Sequence, residues 1–134
     1  PYSYRTICIK YNEPLFYGDE FLYNAYRYML KQVEEPLNIE KMAQQMSYSK
    51  SYMMHRFKEK CGISPYQLYM ILRVAKVKQG LHKSEPLLDL TYHYGFSNQS
   101  HLCNIFKKHM GLSPMQYRES YIAYPNAGEN VARI

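Results

Sequence analysis

Residues 39–67 read IEKMAQQMSYSKSYMMHRFKEKCGISPYQ, and residues 87–116 read LLDLTYHYGFSNQSHLCNIFKKHMGLSPMQ. The two stretches are copies of one pattern. Their first parts align at an offset of 48 residues and their later parts at an offset of 49, so the second copy has one extra residue between its Ser and its Phe. Two copies are too few for a solenoid, and we therefore expect two similar subdomains that lie side by side.

Each copy predicts a helix, a tight turn and a second helix. The apolar residues of the first helix follow the i, i+3, i+4, i+7 spacing of an amphipathic helix in both copies: Ile39, Met42, Ala43 and Met46, then Leu87, Leu90, Thr91 and Tyr94. Ser49 and Ser97 are expected to cap the second helices, and Gly62 and Gly111 to end them. A Ser-Pro pair follows each of these glycines and predicts the start of a further helix.

Two more helices are expected outside the copies. Residues 20–34 are rich in aromatic side chains and are followed by Pro36, and residues 65–82 join the two copies. In the joining helix we expect Leu68, Leu72, Ala75 and Leu81 to face inward. Arg73, Lys76 and Lys78 are expected to lie elsewhere, the two lysines on a solvated face. The sequence therefore predicts an all-α protein of about seven helices, with helix-turn-helix units at about 38–62 and 87–111 and a long linker helix at about 65–82.

The charge of the chain is concentrated in its middle. The formal net charge is +6, and residues 37–120 alone hold 12 Lys and Arg against 5 Asp and Glu, a net of +7. Such a balance favours a polyanionic partner, although charge alone is a weak signal.

The cysteines and the apolar runs exclude other classes. Cys8, Cys61 and Cys103 show no C-x-x-C spacing, which argues against a disulfide framework and a zinc site and fits the cytoplasm. No run approaches the roughly 18 apolar residues of a membrane-spanning helix, so no membrane partner is expected. No H-E-x-x-H, P-loop or G-x-S-x-G motif is present, and we expect neither an enzyme nor a cofactor or metal.

The second copy resembles the signature of AraC/XylS-type transcription regulators in about ten positions of matching order and spacing: Gly95-Phe96-Ser97-Asn98-Gln99-Ser100-His101-Leu102, Phe106-Lys107-Lys108, Gly111-Leu112-Ser113-Pro114 and Tyr117-Arg118. The resemblance covers roughly residues 20–120. It implies a seven-helix DNA-binding domain whose two recognition helices enter adjacent major grooves of double-stranded DNA. It also implies a transcription regulator, expected to be an activator, that contacts RNA polymerase.

The resemblance also implies which side chains contact DNA. Carried over position by position, the base-reading residues are Lys50, Ser51, Met54 and His55 in the first recognition helix and Gln99, Ser100, His101 and Asn104 in the second. The residues carried over to the DNA backbone are Ser49, Lys58, Ser97, Lys107 and Lys108. Many relatives have Arg where His55 and Asn104 stand, and Arg to guanine is the commonest specific contact in the major groove. This chain is therefore expected to read fewer guanines.

The flanking segments lie outside the resemblance. We expect residues 1–19 to be an interdomain linker or the end of an upstream sensor or dimerisation domain, and residues 121–134 to be a mobile C-terminal tail. The chain begins at Pro1, and we interpret it as a piece of a longer protein.

Two other functions stay open at this point. One is a helical protein-interaction module whose basic face docks an acidic partner and whose DNA binding is weak or non-specific, with Ser47, His55 and Asn104 as marks of such drift. The other is binding of single-stranded nucleic acid by stacking of bases on exposed tyrosines, for which Tyr52 and Tyr66 are the candidates.

Overall fold

The computed structural model describes residues 19–123, which form seven α-helices and no strands. The helices are α1 Glu20–Lys31, α2 Ile39–Gln45, α3 Lys50–Cys61, α4 Pro65–His82, α5 Leu87–His93, α6 Gln99–Met110 and α7 Pro114–Ala123. This confirms the all-α class, with two helix-turn-helix units joined by a long helix. Residues 1–18 of the expected linker and residues 124–134 of the expected tail lie outside the described residues.

The two units repeat one another in backbone conformation. Both first helices have 7 residues and both second helices have 12. Ser47 (φ 62°) and Gly95 (φ 78°) make the equivalent turns in the left-handed region. Gly62 (φ 74°) and Gly111 (φ 83°) end α3 and α6 in the same region, as the sequence predicts.

The helix caps differ between the two units. The Oγ of Ser49 accepts the N–H of Tyr52 at 3.1 Å, which confirms Ser49 as the cap of α3. The prediction that Ser97 caps α6 is wrong, because the cap is Asn98, whose Oδ1 accepts the N–H of His101 at 2.8 Å. The extra residue of the second copy lies at this point, so the cap stands one position further from the turn.

Two helix ends differ from the sequence prediction. The helix expected over residues 20–34 ends at Lys31, and Gln32 to Glu35 form turns instead. The carbonyl oxygens of this segment accept hydrogen bonds from side chains of α4, which a continued helix would have used itself. α7 continues to Ala123, so residues 121–123, expected in the tail, are helical. The ring of Tyr121 stacks on His82 of α4 at 4.0 Å between centroids, which holds this last turn in place.

Helix α4 contributes to two hydrophobic cores. Its first half packs with α1, α2 and α3 in one core, and its second half packs with α5, α6 and α7 in the other. Phe57 and Phe106 occupy equivalent positions in the two cores and are fully buried. The partly buried Tyr94 packs against both cores. The two units are therefore held together along α4.

The sequence prediction for the faces of α4 is partly wrong. Lys78, expected on a solvated face, is 2% exposed, and Arg73, expected away from the inward face, is 7% exposed, whereas Ala75, expected inward, is only half-buried. The reason is that α4 has a core on two sides, so its buried residues do not follow a single stripe. Gly80 reflects the same crowding, because a Cβ there would lie 2.3 Å from Cδ2 of Leu90 on α5.

Candidate nucleic-acid interface

The predicted base-reading residues lie on the outer faces of α3 and α6. Six of the eight are exposed and two are half-buried: Lys50, Ser51, His55, Gln99, Ser100 and Asn104 in the first group, Met54 and His101 in the second. The opposite faces carry Met53, Phe57, Leu102 and Phe106, which are fully buried. Each helix therefore fixes one side in its core and presents the other to solvent.

The predicted backbone-contacting residues lie at the ends of the same helices. Ser49, Lys58, Ser97, Lys107 and Lys108 are all exposed. The hydroxyl of Ser49 accepts at the cap of α3 and can still donate its own hydrogen to a phosphate. Helix N-termini attract anions through their unpaired N–H groups and the helix dipole. Lys58 and Lys107 occupy matched positions at an offset of 49 residues, so both units present one cation at the same place.

A carboxylate on α2 holds Lys50, the first of the predicted base-reading residues. Nζ of Lys50 donates to Oε1 of Glu40 at 3.0 Å. This hydrogen bond and the charge of Glu40 raise the pKa of Lys50, and the same hydrogen bond and the charge of Lys50 lower the pKa of Glu40, so the pair is charged at neutral pH. Sequence reasoning missed Glu40, because it lies ten residues earlier on another helix and no spacing rule connects the two.

A second missed carboxylate, Glu59, lies beside His55. Nε2 of His55 is 3.6 Å from Oε2 of Glu59, and Nη1 of Arg56 is 3.5 Å from Oε1 of the same residue. Together with Met54, Lys58 and Ser64, His55 and Glu59 line a surface groove of about 650 Å³. The i, i+4 spacing of His55 and Glu59 is a signal that the sequence does contain.

His101 has a role within the turn that precedes α6. Its Nδ1 accepts the N–H of Ser97 at 3.2 Å, and its ring packs edge-on against Phe96 with 5.4 Å between centroids. The nitrogen left for an external ligand is Nε2. His101 therefore supports the start of the helix as well as facing outward.

The tyrosines proposed for stacking are exposed. Tyr52 and Tyr66 are 43% and 49% exposed. The ring of Tyr52 is stacked on that of Tyr48, with 4.8 Å between centroids, so one face of it is already covered. A base could stack on the remaining face alone, which weakens the case for a row of stacking platforms.

Other chemistry has little support among residues 19–123. Burial raises the pKa of the Cys61 thiol to about 11, which disfavours the reactive thiolate. In this part of the chain no group of three or more His, Cys, Asp or Glu is placed to hold a metal ion. None of the seven helices described here is long and apolar enough to cross a membrane.

Comparisons with known proteins agree with this geometry. A family model described as a helix-turn-helix domain matches residues 42–120. The multiple antibiotic resistance protein MarA of Escherichia coli K12 is 34% identical over 87 residues, which are 64% of this chain and 68% of the relative.

Two solved structures extend the similarity to the fold. The crystal structure of an AraC-type DNA-binding-domain regulator from Chromobacterium violaceum matches with a TM-score of 0.72 at 25% identity, over 78% of this chain and 94% of that one. The DNA-binding domain of AdpA, solved in complex with a target DNA, matches with a TM-score of 0.67 at 25% identity, over 78% of this chain and 96% of that one.

Proposed function

The chain belongs to the AraC/XylS-type helix-turn-helix family of transcription regulators, and we propose that α3 and α6 enter adjacent major grooves of double-stranded DNA. The observation that carries the proposal is the pair of matched helix-turn-helix units, each with an exposed polar face, joined by α4. With 18 residues, α4 is about 27 Å long. With flanking side chains this approaches the roughly 34 Å between successive major grooves on one face of DNA.

The proposed base contacts follow from the chemistry of the exposed side chains. The amides of Gln99 and Asn104 can pair with N6 and N7 of adenine, and Met54 can pack on a thymine methyl group. Lys50 reaches the groove while Glu40 holds it, and the imidazole of His55, which lies beside Glu59, can donate to or accept from a base edge. The hydroxyls of Ser51 and Ser100 and Nε2 of His101 complete the proposed set.

The proposed backbone contacts are Ser49, Lys58, Ser97, Lys107 and Lys108. The lysines neutralise phosphates, and the serines lie at the start of the recognition helices, where an anion is favoured. Ser97 does not cap α6, so in this proposal its hydroxyl is available to a phosphate.

The wider role is part of the same proposal. The regulator acts by binding rather than by catalysis, works in the cytoplasm, and activates transcription through contact with RNA polymerase. An upstream sensor or dimerisation domain, which the family resemblance implies, would supply the signal. The support for these points is membership of this family of transcription regulators.

Selection from a pool of random duplexes at physiological salt tests the proposal. We expect a bipartite site whose two boxes are centred about 10 base pairs apart. Recovery of a single box would mean that only one unit reads bases. If no sequence is enriched and the binding vanishes as the salt concentration rises, the result would favour the protein-interaction module with a basic face.

Replacement of Gln99 by Ala tests a base contact. We expect loss of preference at one base pair, with a cost of about 1–3 kcal/mol on the preferred site, because the amide pairs with a single base. Affinity is measured on the selected site and on its single-base variants. An equal loss on all duplexes would remove Gln99 from the base-reading set.

Replacement of Lys107 by Ala tests a phosphate contact. We expect weaker binding to all sequences alike and a salt slope that is smaller by about one unit, because one fewer counterion is released. The control is Lys31→Ala, which removes the same charge from the exposed end of α1 and should leave the slope unchanged. An unchanged slope in Lys107→Ala would exclude the contact.

A further inference from the structure

Side chains of α4 bind the main chain of the loop between α1 and α2. Nε of Arg73 donates to the carbonyl oxygen of Val33 at 3.0 Å, and its Nη2 donates to that of Glu35 at 2.6 Å. The single hydrogen of the Tyr69 hydroxyl is shared between the carbonyl oxygens of Gln32 and Glu35, both of which lie within hydrogen-bonding distance. The loop packs through Val33 in the same core as the first helix-turn-helix unit and leads directly into α2.

The same arginine touches the second unit. A Cβ on Gly95 would lie 2.4 Å from Nη1 of Arg73 and 2.8 Å from its Cζ, so the guanidinium is packed directly against this glycine. Gly95 is the turn between α5 and α6. Arg73 is 7% exposed, and its other neighbour is the ring of Tyr69, 4.7 Å from Cζ to the centroid.

Two further contacts join the two units near Arg73. Nε2 of His93, at the end of α5, lies 2.6 Å from Oε1 of Glu34 in the α1–α2 loop. Tyr94, next to Gly95, packs against both hydrophobic cores. The loop of the first unit and the turn of the second unit therefore meet around one buried guanidinium.

A buried guanidinium constrains its surroundings. Removing the guanidinium charge from water costs free energy unless its N–H donors are hydrogen-bonded to acceptors. The planar guanidinium also fixes the directions in which these N–H groups can donate. The two carbonyls and the Gly95 backbone must therefore keep their places relative to α4. A long apolar side chain at this position would fill space without imposing these directions.

We propose that Arg73 is a positioning residue that fixes the second recognition helix relative to the first and so sets the spacing between the two DNA boxes. The inference rests on the proposed function, since spacing has meaning only if both units read DNA. Arg73 itself is buried and is not assigned any contact with DNA.

The test is binding to a set of duplexes that differ only in spacing. The set contains the best bipartite site, the same boxes moved apart or together by one base pair, and a duplex with one box alone. In Arg73→Met we expect the ratio of affinities between the best and the altered spacings to fall by roughly fivefold or more, with single-box affinity retained. The matched control, Arg27→Met, removes an exposed arginine from α1 and should keep the wild-type ratio.

Two milder variants keep the test decisive if Arg73→Met does not fold. Tyr69→Phe keeps the ring and removes the hydroxyl that binds the loop, and it should lower the ratio in the same direction. Arg73→Lys keeps the charge but lacks the planar arrangement of N–H donors, so its ratio should lie between those of Arg73→Met and the wild type. An equal loss of affinity on all duplexes, with the ratio unchanged, would overturn this inference and leave the proposed function standing. A wild-type protein without any spacing preference would overturn the two-unit reading of DNA as well.

Discussion

At the scale of single residues, the two copies of the turn show how one backbone shape is made by different side chains. Ser47 and Gly95 both have positive φ, but their surroundings differ. Gly95 has Arg73 against its backbone, so a side chain there meets both strain and a close contact. Ser47 is exposed, and its cost is the strain of the left-handed conformation alone.

Replacement of Ser47 by Gly should therefore stabilise the protein. We expect the free energy of unfolding to rise by up to about 1 kcal/mol, because glycine adopts this conformation without a Cβ clash. Urea denaturation of the two proteins measures the difference. The reciprocal change is Gly62→Ala, where φ is 74° and a Cβ would meet nothing within 4 Å, and it should cost about 1 kcal/mol. A Ser47→Gly protein less stable than wild type would contradict this account.

At the scale of helices, the local signals in the sequence were strong and the long-range ones were absent. Apolar spacing and the glycines at positions 62 and 111 predict the helices of both units, because these signals act within a few residues. The sequence pattern places the cap of α6 one residue too early, since Ser97 and Asn98 are both good caps and the inserted residue lies beside them.

The burial of Arg73 and Lys78 could not be predicted from spacing. Their positions on α4 are enclosed by two cores built from distant segments. The acceptors of Arg73 are main-chain carbonyls 40 and 38 residues away. Because every residue has a main-chain carbonyl, the pattern of side chains does not indicate these acceptors. The outward faces of α3 and α6 were predictable, whereas Glu40 and Arg73 needed the three-dimensional arrangement.

The cap of α6 at Asn98 can be tested by mutation. Asn98→Ala should lower the free energy of unfolding by about 1 kcal/mol, because the N–H of His101 loses its acceptor. Ser97→Ala should change it by less than about 0.5 kcal/mol, since its side chain is exposed and does not cap the helix. Chemical denaturation of both variants measures the contrast, and Ser49→Ala in the first unit should resemble Asn98→Ala. The reverse order at positions 97 and 98 would contradict the assignment.

At the scale of the whole molecule, α4 makes two cores into one folding unit. Leu68 and Leu72 belong to the first core, and Val74 and Val77 follow within the same helix in the second. Loss of α4 would expose both cores. The described part of the chain, residues 19–123, is therefore expected to unfold in one step.

The two equivalent phenylalanines test this cooperativity. Phe57→Ala and Phe106→Ala should each cost about 3–5 kcal/mol, because each empties a fully buried site. Each variant should still show a single calorimetric transition whose van't Hoff and calorimetric enthalpies agree. A separate low-temperature transition in Phe106→Ala, with α1 to α3 still folded, would show that the two units unfold independently.

The outward residues of the two units differ at equivalent positions: Lys50 in the first unit corresponds to Gln99 in the second, and His55 corresponds to Asn104. In the proposed binding mode the units are therefore a tandem pair of unlike readers in one chain, not the twofold-related halves of a dimer on a palindrome. A molecule bound in the proposed way has a head and a tail. Turning its site end for end on the DNA turns the protein with it, so the site specifies direction as well as position.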